Sequence, residues 1–231
     1  RVMEFFESSV FFGVTVSLIA YGIGMALQKK FKSALLNPLL ISVVLVIALL
    51  AATGIRYDAY YAGAKYLSYL LTPATVCLAV PLYEKLDLLK QNKKAILLGI
   101  GSGALTSLLC VLAMAALFSL THEEYVTFLP KSITTAIGMG LSDELGGYVT
   151  LTVAVILITG VIGNVFASAF CKLCRITDRI AVGIAIGTSS HAIGTARAME
   201  LGDVEGAMSS LSIVVSGLLT VVGASVFAQF L

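Results

Sequence analysis

Five stretches of this 231-residue chain are long and apolar enough to cross a bilayer: Val10 to Leu27, Leu35 to Thr53, Ala95 to Leu120, Tyr148 to Phe170 and Ala207 to Phe230. A crossing needs roughly 17 to 25 such residues, and a helix is the form in which one segment satisfies its own backbone polar groups in lipid. A sixth run, Tyr66 to Tyr83, contains Pro73 and Pro81 and is expected to cross as a kinked or broken helix. Composition closes off the alternatives. Hydrophobic residues make up 58% and charged residues 12% of the chain, whereas a soluble domain carries roughly 25% charge. A net charge of +2, with 15 Lys and Arg forming no basic face, also argues against a nucleic-acid partner. The expectation is a single, all-α polytopic membrane domain over 1–231, embedded in lipid as its first partner.

Two segments are too polar and glycine-rich to face lipid: 130–147 (PKSITTAIGMGLSDELGG) and 183–202 (GIAIGTSSHAIGTARAMELG). Irregular backbone at membrane depth is tolerated where protein buries it or where it lines a wet cavity. Basic residues collect on the cytoplasmic side of membrane proteins, and here they sit in loops 28–34, 84–94 and 171–179. Placing all three loops inside puts the N-terminus outside. The segment 130–147 then enters and leaves from the outside, and 183–202 from the inside. The expected architecture is therefore about six transmembrane helices, one of them proline-interrupted, plus two oppositely oriented re-entrant hairpins. It groups as an N-terminal bundle over 9–120, a first hairpin with its span over 130–170, and a second over 183–230.

The two polar segments are also related to each other. At an offset of 56, SITTAIGMGLSDELGG (132–147) lies over TSSHAIGTARAMELGD (188–203) with six identities in 16 positions, among them Ala136, Ile137 and Gly138 over Ala192, Ile193 and Gly194. Each copy precedes an apolar span, and a single span separates the copies, so they approach the membrane from opposite faces. Inverted repeats of discontinuous helices are a signature of secondary transporters. A break near Gly138 or Gly194 would leave half-helices of about eight residues, ~12 Å long, able to meet near the middle of a ~30 Å core.

Such tips suit an anion. Half-helix N-termini offer free backbone N–H groups, and glycine lets the backbone come close. Hydroxyls at Ser132, Thr134, Thr135, Thr188, Ser189 and Ser190 add neutral donors, although Ser and Thr also cap helices and join spans. The candidate binding set is these six with Gly138, Gly194, His191 and Arg197. His191 is suited to carry a proton or donate to an anion, or else it is a neutral histidine satisfied by backbone. Arg197 either clamps a carboxylate or pairs with Glu200 or Asp203. Glu144 and Glu200, equivalent in the repeat, either take protons or face water at the far ends of their hairpins, the latter being favoured. Asn164, beside Gly160 and Gly163, reads as an interhelical hydrogen-bonding residue, and Lys131 either draws anions to the first hairpin or snorkels.

Enzymatic chemistry finds no footing here. HExxH, GxSxG, P-loop and DxD patterns are absent from the sequence, and the CxxC at Cys171 and Cys174 lacks partners at zinc-site spacing, so neither catalytic residues nor a metal are expected. The implied coupling species is a proton or sodium ion.

Four stretches resemble the LrgB/CidB family: LNPLLIS at 36–42, LLTPATVCLAVPLYEKL at 70–86, PKSITTAIGM at 130–139 and GTSSHAIGTARAMELGDVEGAMSSLS at 187–212. The resemblance covers essentially the whole chain, with Ala136 where members often carry proline after the paired threonines. It implies a bacterial inner-membrane protein, similar to one half of the plastid glycolate/glycerate transporter and moving small carboxylates such as pyruvate. It also implies a small LrgA/CidA-type membrane partner. The family's older description, a holin-like or antiholin-like regulator of murein hydrolase activity, is the alternative. A homodimer is the default expectation from the frequency of two-fold oligomers.

Overall fold

The apolar runs become helices, as the cost of bare backbone in lipid requires. The structure is a computed structural model and describes residues 9, 11–31, 38–70, 73, 77 and 79–231. Among the described residues all regular structure is helical, and four helices are long and apolar enough to cross a membrane: Phe12–Phe31, Leu86–Phe118, Val149–Leu173 and Asp203–Phe230. The chain divides into two compact units, Arg1–Cys77 and Leu78–Leu231. The boundary falls inside the stretch 9–120 that the sequence groups as one bundle.

The first unit holds α1 (Phe12–Phe31), α2 (Pro38–Thr53) and α3 (Tyr57–Ser68). Glycines let α1 approach its neighbours closely: a Cβ at Gly13 would strike the backbone of Tyr60 and Ala64, and one at Gly24 the backbone of Pro38. Ser17 and Tyr60 share a hydroxyl hydrogen bond at 2.7 Å, and Tyr57 stacks on Tyr61 at 5.8 Å. The proline-interrupted run 66–83 lies partly outside the described residues.

In the second unit come α4 (Ala79–Glu84), α5 (Leu86–Phe118), α6 (His122–Phe128), α7 (Thr135–Glu144), α8 (Val149–Leu173), α9 (Arg179–Leu201) and α10 (Asp203–Phe227), closed by a 3-10 turn over Ala228–Phe230. Leu98, Leu117 and Val222 are at least 70% exposed on helices of this length, so these outer faces are suited to lipid rather than water. Two apolar clusters fill the interior. One joins Leu108, Val111 and Ala115 of α5 to Tyr125, Ile133, Leu141 and Ala224; the other joins Ile96 and Ile100 of α5 to Ile184, Ala207 and Met208. Along α5 the stretch 101–107 lies between them.

Both polar segments fold back on themselves against the helix that follows. In the first, Tyr148 Oη donates to Glu123 and Thr152 Oγ1 donates to the Thr127 carbonyl (3.0 Å), so α6 runs alongside the start of α8. The return arm α7 brings Gly138 against Ile156, and Thr152 Oγ1 and Ser142 Oγ share a hydrogen bond at 2.7 Å. In the second segment, Gly183 abuts Glu205 and Met208 while Gly187 abuts Ser209 and Ser212. Past residue 191, Thr195 shares a hydroxyl hydrogen bond with Ser209, and Met199 abuts Gly206. The contact order along α10 reverses, so α9 is two half-helices doubled back at His191. Arg179 closes the base of this hairpin with a two-point ion pair to Glu205 (2.9 and 3.0 Å).

The breaks fall earlier than the glycines suggest. The first lies at 129–134, ahead of Gly138, and the second at His191, three residues before Gly194. Gly138 and Gly194 sit within helices, where the missing Cβ admits Ile156 to one and Ser190 with Ile186 to the other. Their role in the fold is close packing rather than helix termination.

Candidate functional site

Each hairpin delivers its turn to the middle of α8. Gly160 and Gly163 give α8 a side-chain-free seat, where a Cβ at Gly160 would lie 2.7 Å from His191 Cε1 and one at Gly163 would collide with Ser190 Oγ. The same seat carries Asn164, whose Nδ2 donates to the Ile193 carbonyl at 2.7 Å. Small residues that let backbones meet, with a polar side chain bonding across, are how membrane helices associate without a hydrophobic driving force between them.

His191 adopts φ 43° and ψ −140°. This is a left-handed backbone that non-glycine residues enter at a cost of order 1–3 kcal/mol. What holds it there is specific: its buried ring places Nε2 3.0 Å from the Ile156 carbonyl, and its own carbonyl accepts from Thr195 Oγ1 at 2.9 Å. His191→Gly loses the ring bond but relieves the backbone, whereas His191→Ala loses the ring bond and keeps the strain. The alanine variant should therefore unfold at lower temperature than the glycine variant, a gap of about 1 kcal/mol. Thermal unfolding in detergent checks the order; the reverse order would contradict a strained residue 191.

Between the hairpin turns lies a cavity of about 370 Å³. The first hairpin supplies Lys131 and Ser132, the second Thr188, Ser189 and Ser190, α8 supplies Thr159 and Gly163, and α5 supplies Gly103, Thr106, Ser107 and Cys110. Lys131 Nζ donates to Ser132 Oγ at 2.9 Å and to Ser107 Oγ at 3.2 Å, and Ser107 Oγ donates to Ser132 Oγ at 3.1 Å. On the opposite wall Thr188 Oγ1 donates to the Ile184 carbonyl (2.6 Å), Ser189 Oγ donates to the Ala185 carbonyl (2.7 Å), and Ser189 and Ser190 share a hydrogen bond at 3.0 Å. None of the ion pairs among the described residues involves Lys131: these are Arg56–Asp58, Lys90–Asp87, Arg179–Glu205 and Arg197–Glu200. Among the described residues the lining thus contains a cation, several hydroxyls able to rotate toward a guest, and no carboxylate. Its chemistry fits a small anion.

The sequence-derived candidates separate in space. Ser132, Thr188, Ser189 and Ser190 line the cavity. Thr134 begins α7 as its N-cap without a side-chain capping bond, followed by Thr135, and neither lines the cavity. His191 lies behind the lining against α8, while Arg197 bonds Glu200 and Ser168 on the return arm. Glu144 and Glu200 are exposed at the far ends of their hairpins. Absent from the candidate set were Gly103, Thr106 and Ser107, which sit inside an apolar run. Their signal was present in the string GIGSGALTS at 99–107, whose small and hydroxylic residues interrupt otherwise large apolar ones.

The apolar helices define a polytopic all-α membrane protein. The chain belongs to the LrgB-like family, whose model matches residues 17–230. No solved structure matches it.

Proposed function

We propose that this protein is a secondary transporter of small monocarboxylates of the pyruvate, glycolate, glycerate or lactate type, rather than an enzyme. It resides in the bacterial inner membrane with its N-terminus outside and acts with an LrgA/CidA-type small membrane protein. The observation that carries the reading is the cavity at the middle of α8, where both hairpins contribute donors around Lys131 and, among the described residues, no carboxylate competes for the cation. The two hairpins are read as an inverted repeat entering from opposite faces. In support, residues 127 and 152 meet in the first copy as 183 and 208 do in the second, at the same offset of 56 that aligns the sequences. Paired, discontinuous elements of opposite orientation permit alternating access by rocking one against the other around a fixed site.

Purified protein in proteoliposomes, with and without the LrgA-type partner, should take up labelled pyruvate, glycolate, lactate or glycerate with saturable, mutually competitive kinetics under an imposed proton or sodium gradient. Absence of saturable flux for all four would overturn the reading. Leakage of a trapped dye, indifferent to added carboxylate, would instead favour the holin-like alternative.

A further inference from the structure

The central cavity is not isolated. It shares Gly103 and Thr106 with a cavity of about 460 Å³ that runs beside Ala95, Gly99 and Ser102 toward Asp178. It shares Cys110 and Lys131 with another of about 340 Å³, bounded by Met114, Phe118, Leu120 and Phe128. Every step along this series borders one stripe of α5, with lining residues recurring every three or four positions from 95 to 118. At 1.5 Å per residue that stripe is ~35 Å long, enough to traverse a ~30 Å hydrocarbon core, and residues 103–107 lie near its middle.

We propose that this stripe of α5 is one wall of a continuous solute route across the membrane, with Asp178, Ser102 and Thr106 set among small and aliphatic residues on one side of Lys131 and only apolar side chains from Met114 to Phe118 on the other. The inference rests on the transport reading and adds the path and its barrier. Ser102, Thr106 and the small residues Ala95, Gly99 and Gly103 leave room and bonding partners for water on one side of the site. Met114, Phe118, Leu120 and Phe128 offer water no partners, and an apolar stretch of this kind resists wetting. Lys131 stands at the junction, where an arriving anion meets the last fixed charge before the apolar half. Leu97 and Leu105 lie off this stripe, line none of these three cavities and are at least half exposed, a face suited to lipid.

Cys110 is a native probe of the junction. In protein with Cys77, Cys171 and Cys174 changed to alanine, a negatively charged methanethiosulfonate should modify Cys110 in proteoliposomes. With Cys110→Ala added, single cysteines at Ser102, Thr106 and Met114 test the stripe, and cysteines at Leu97 and Leu105 test the lipid face; each is read in variants that keep the melting temperature and monodispersity of the parent protein. Cys110, Ser102→Cys and Thr106→Cys should react at least about tenfold faster than Leu97→Cys and Leu105→Cys, because the reacting thiolate forms only where water reaches. Met114→Cys should react more slowly than Cys110, and saturating pyruvate should slow reaction at Cys110 and Thr106→Cys. Equal rates on the two faces, in folded protein, would overturn the route. Fast labelling of the stripe with no protection by pyruvate, glycolate, lactate or glycerate would keep the route and overturn the carboxylate reading.

Discussion

Replacing Lys131 with methionine should lower the kcat/KM of carboxylate uptake by roughly a hundredfold, or abolish saturable uptake, while the protein stays folded. Lys131 donates to Ser107 and Ser132, and among the described residues no carboxylate pairs with it. Its charge is therefore available to a guest, and a charge-assisted hydrogen bond is worth roughly 1.5–3 kcal/mol, up to a hundredfold in affinity. Methionine keeps the length and loses the charge, so packing is little disturbed. Lys131→Arg should retain part of the activity, because the charge remains while the donor geometry changes. The measurement is the concentration dependence of labelled pyruvate uptake into proteoliposomes for the three proteins. Unchanged KM and rate in the methionine variant would remove Lys131 from the site.

The second large effect should come from a single methyl group. Gly163→Ala places a Cβ where Ser190 Oγ now lies and only 2.5 Å from Ser190 Cβ, so the tip of the second hairpin must leave α8. Overpacking of this sort costs typically 1–3 kcal/mol, and here it also displaces three lining hydroxyls, so uptake should fall by more than about tenfold along with thermal stability. Gly101→Ala is the matching control, since nothing lies within 4 Å of a Cβ there, and it should stabilise α5 by up to about 1 kcal/mol. The double variant Gly163→Ala with Ser190→Gly removes the colliding atoms and should recover most of the lost stability, a coupling of the kind expected between residues in contact. Equal melting temperatures for the Gly163 and Gly101 variants would show that the hairpin does not seat at Gly163.

Much of this arrangement was written in the order of residues. The helices Phe12–Phe31, Leu86–Phe118, Val149–Leu173 and Asp203–Phe227 follow from apolar runs of the right length, because lipid leaves backbone polar groups no partner but their own helix. The segments 130–147 and 183–202 announced themselves by being too polar for that environment, and the hydroxyls Ser132, Thr188, Ser189 and Ser190 could be named from sequence as candidates for the cavity they line. Where those helices break was less legible. Glycine is the expected breaker, yet His191 takes the left-handed backbone while Gly194 and Gly138 serve as contact points. The reason is tertiary: one hydrogen bond to the Ile156 carbonyl and a seat made by Gly160 offset a strain that local propensity would forbid.

What the sequence determined by itself, then, is that the chain lives in a membrane as helices and that two polar segments must hide there together. Tertiary structure decided which of their residues face a common space. Serines and threonines look alike along the chain, but among the described residues only Thr106, Ser107 and Thr159 of the long helices and Ser132, Thr188, Ser189 and Ser190 of the hairpins share a cavity with Lys131. A side chain's environment depends on what crosses beside it, and residues 107, 132 and 190 become neighbours only when two hairpins fold back onto one helix from opposite ends.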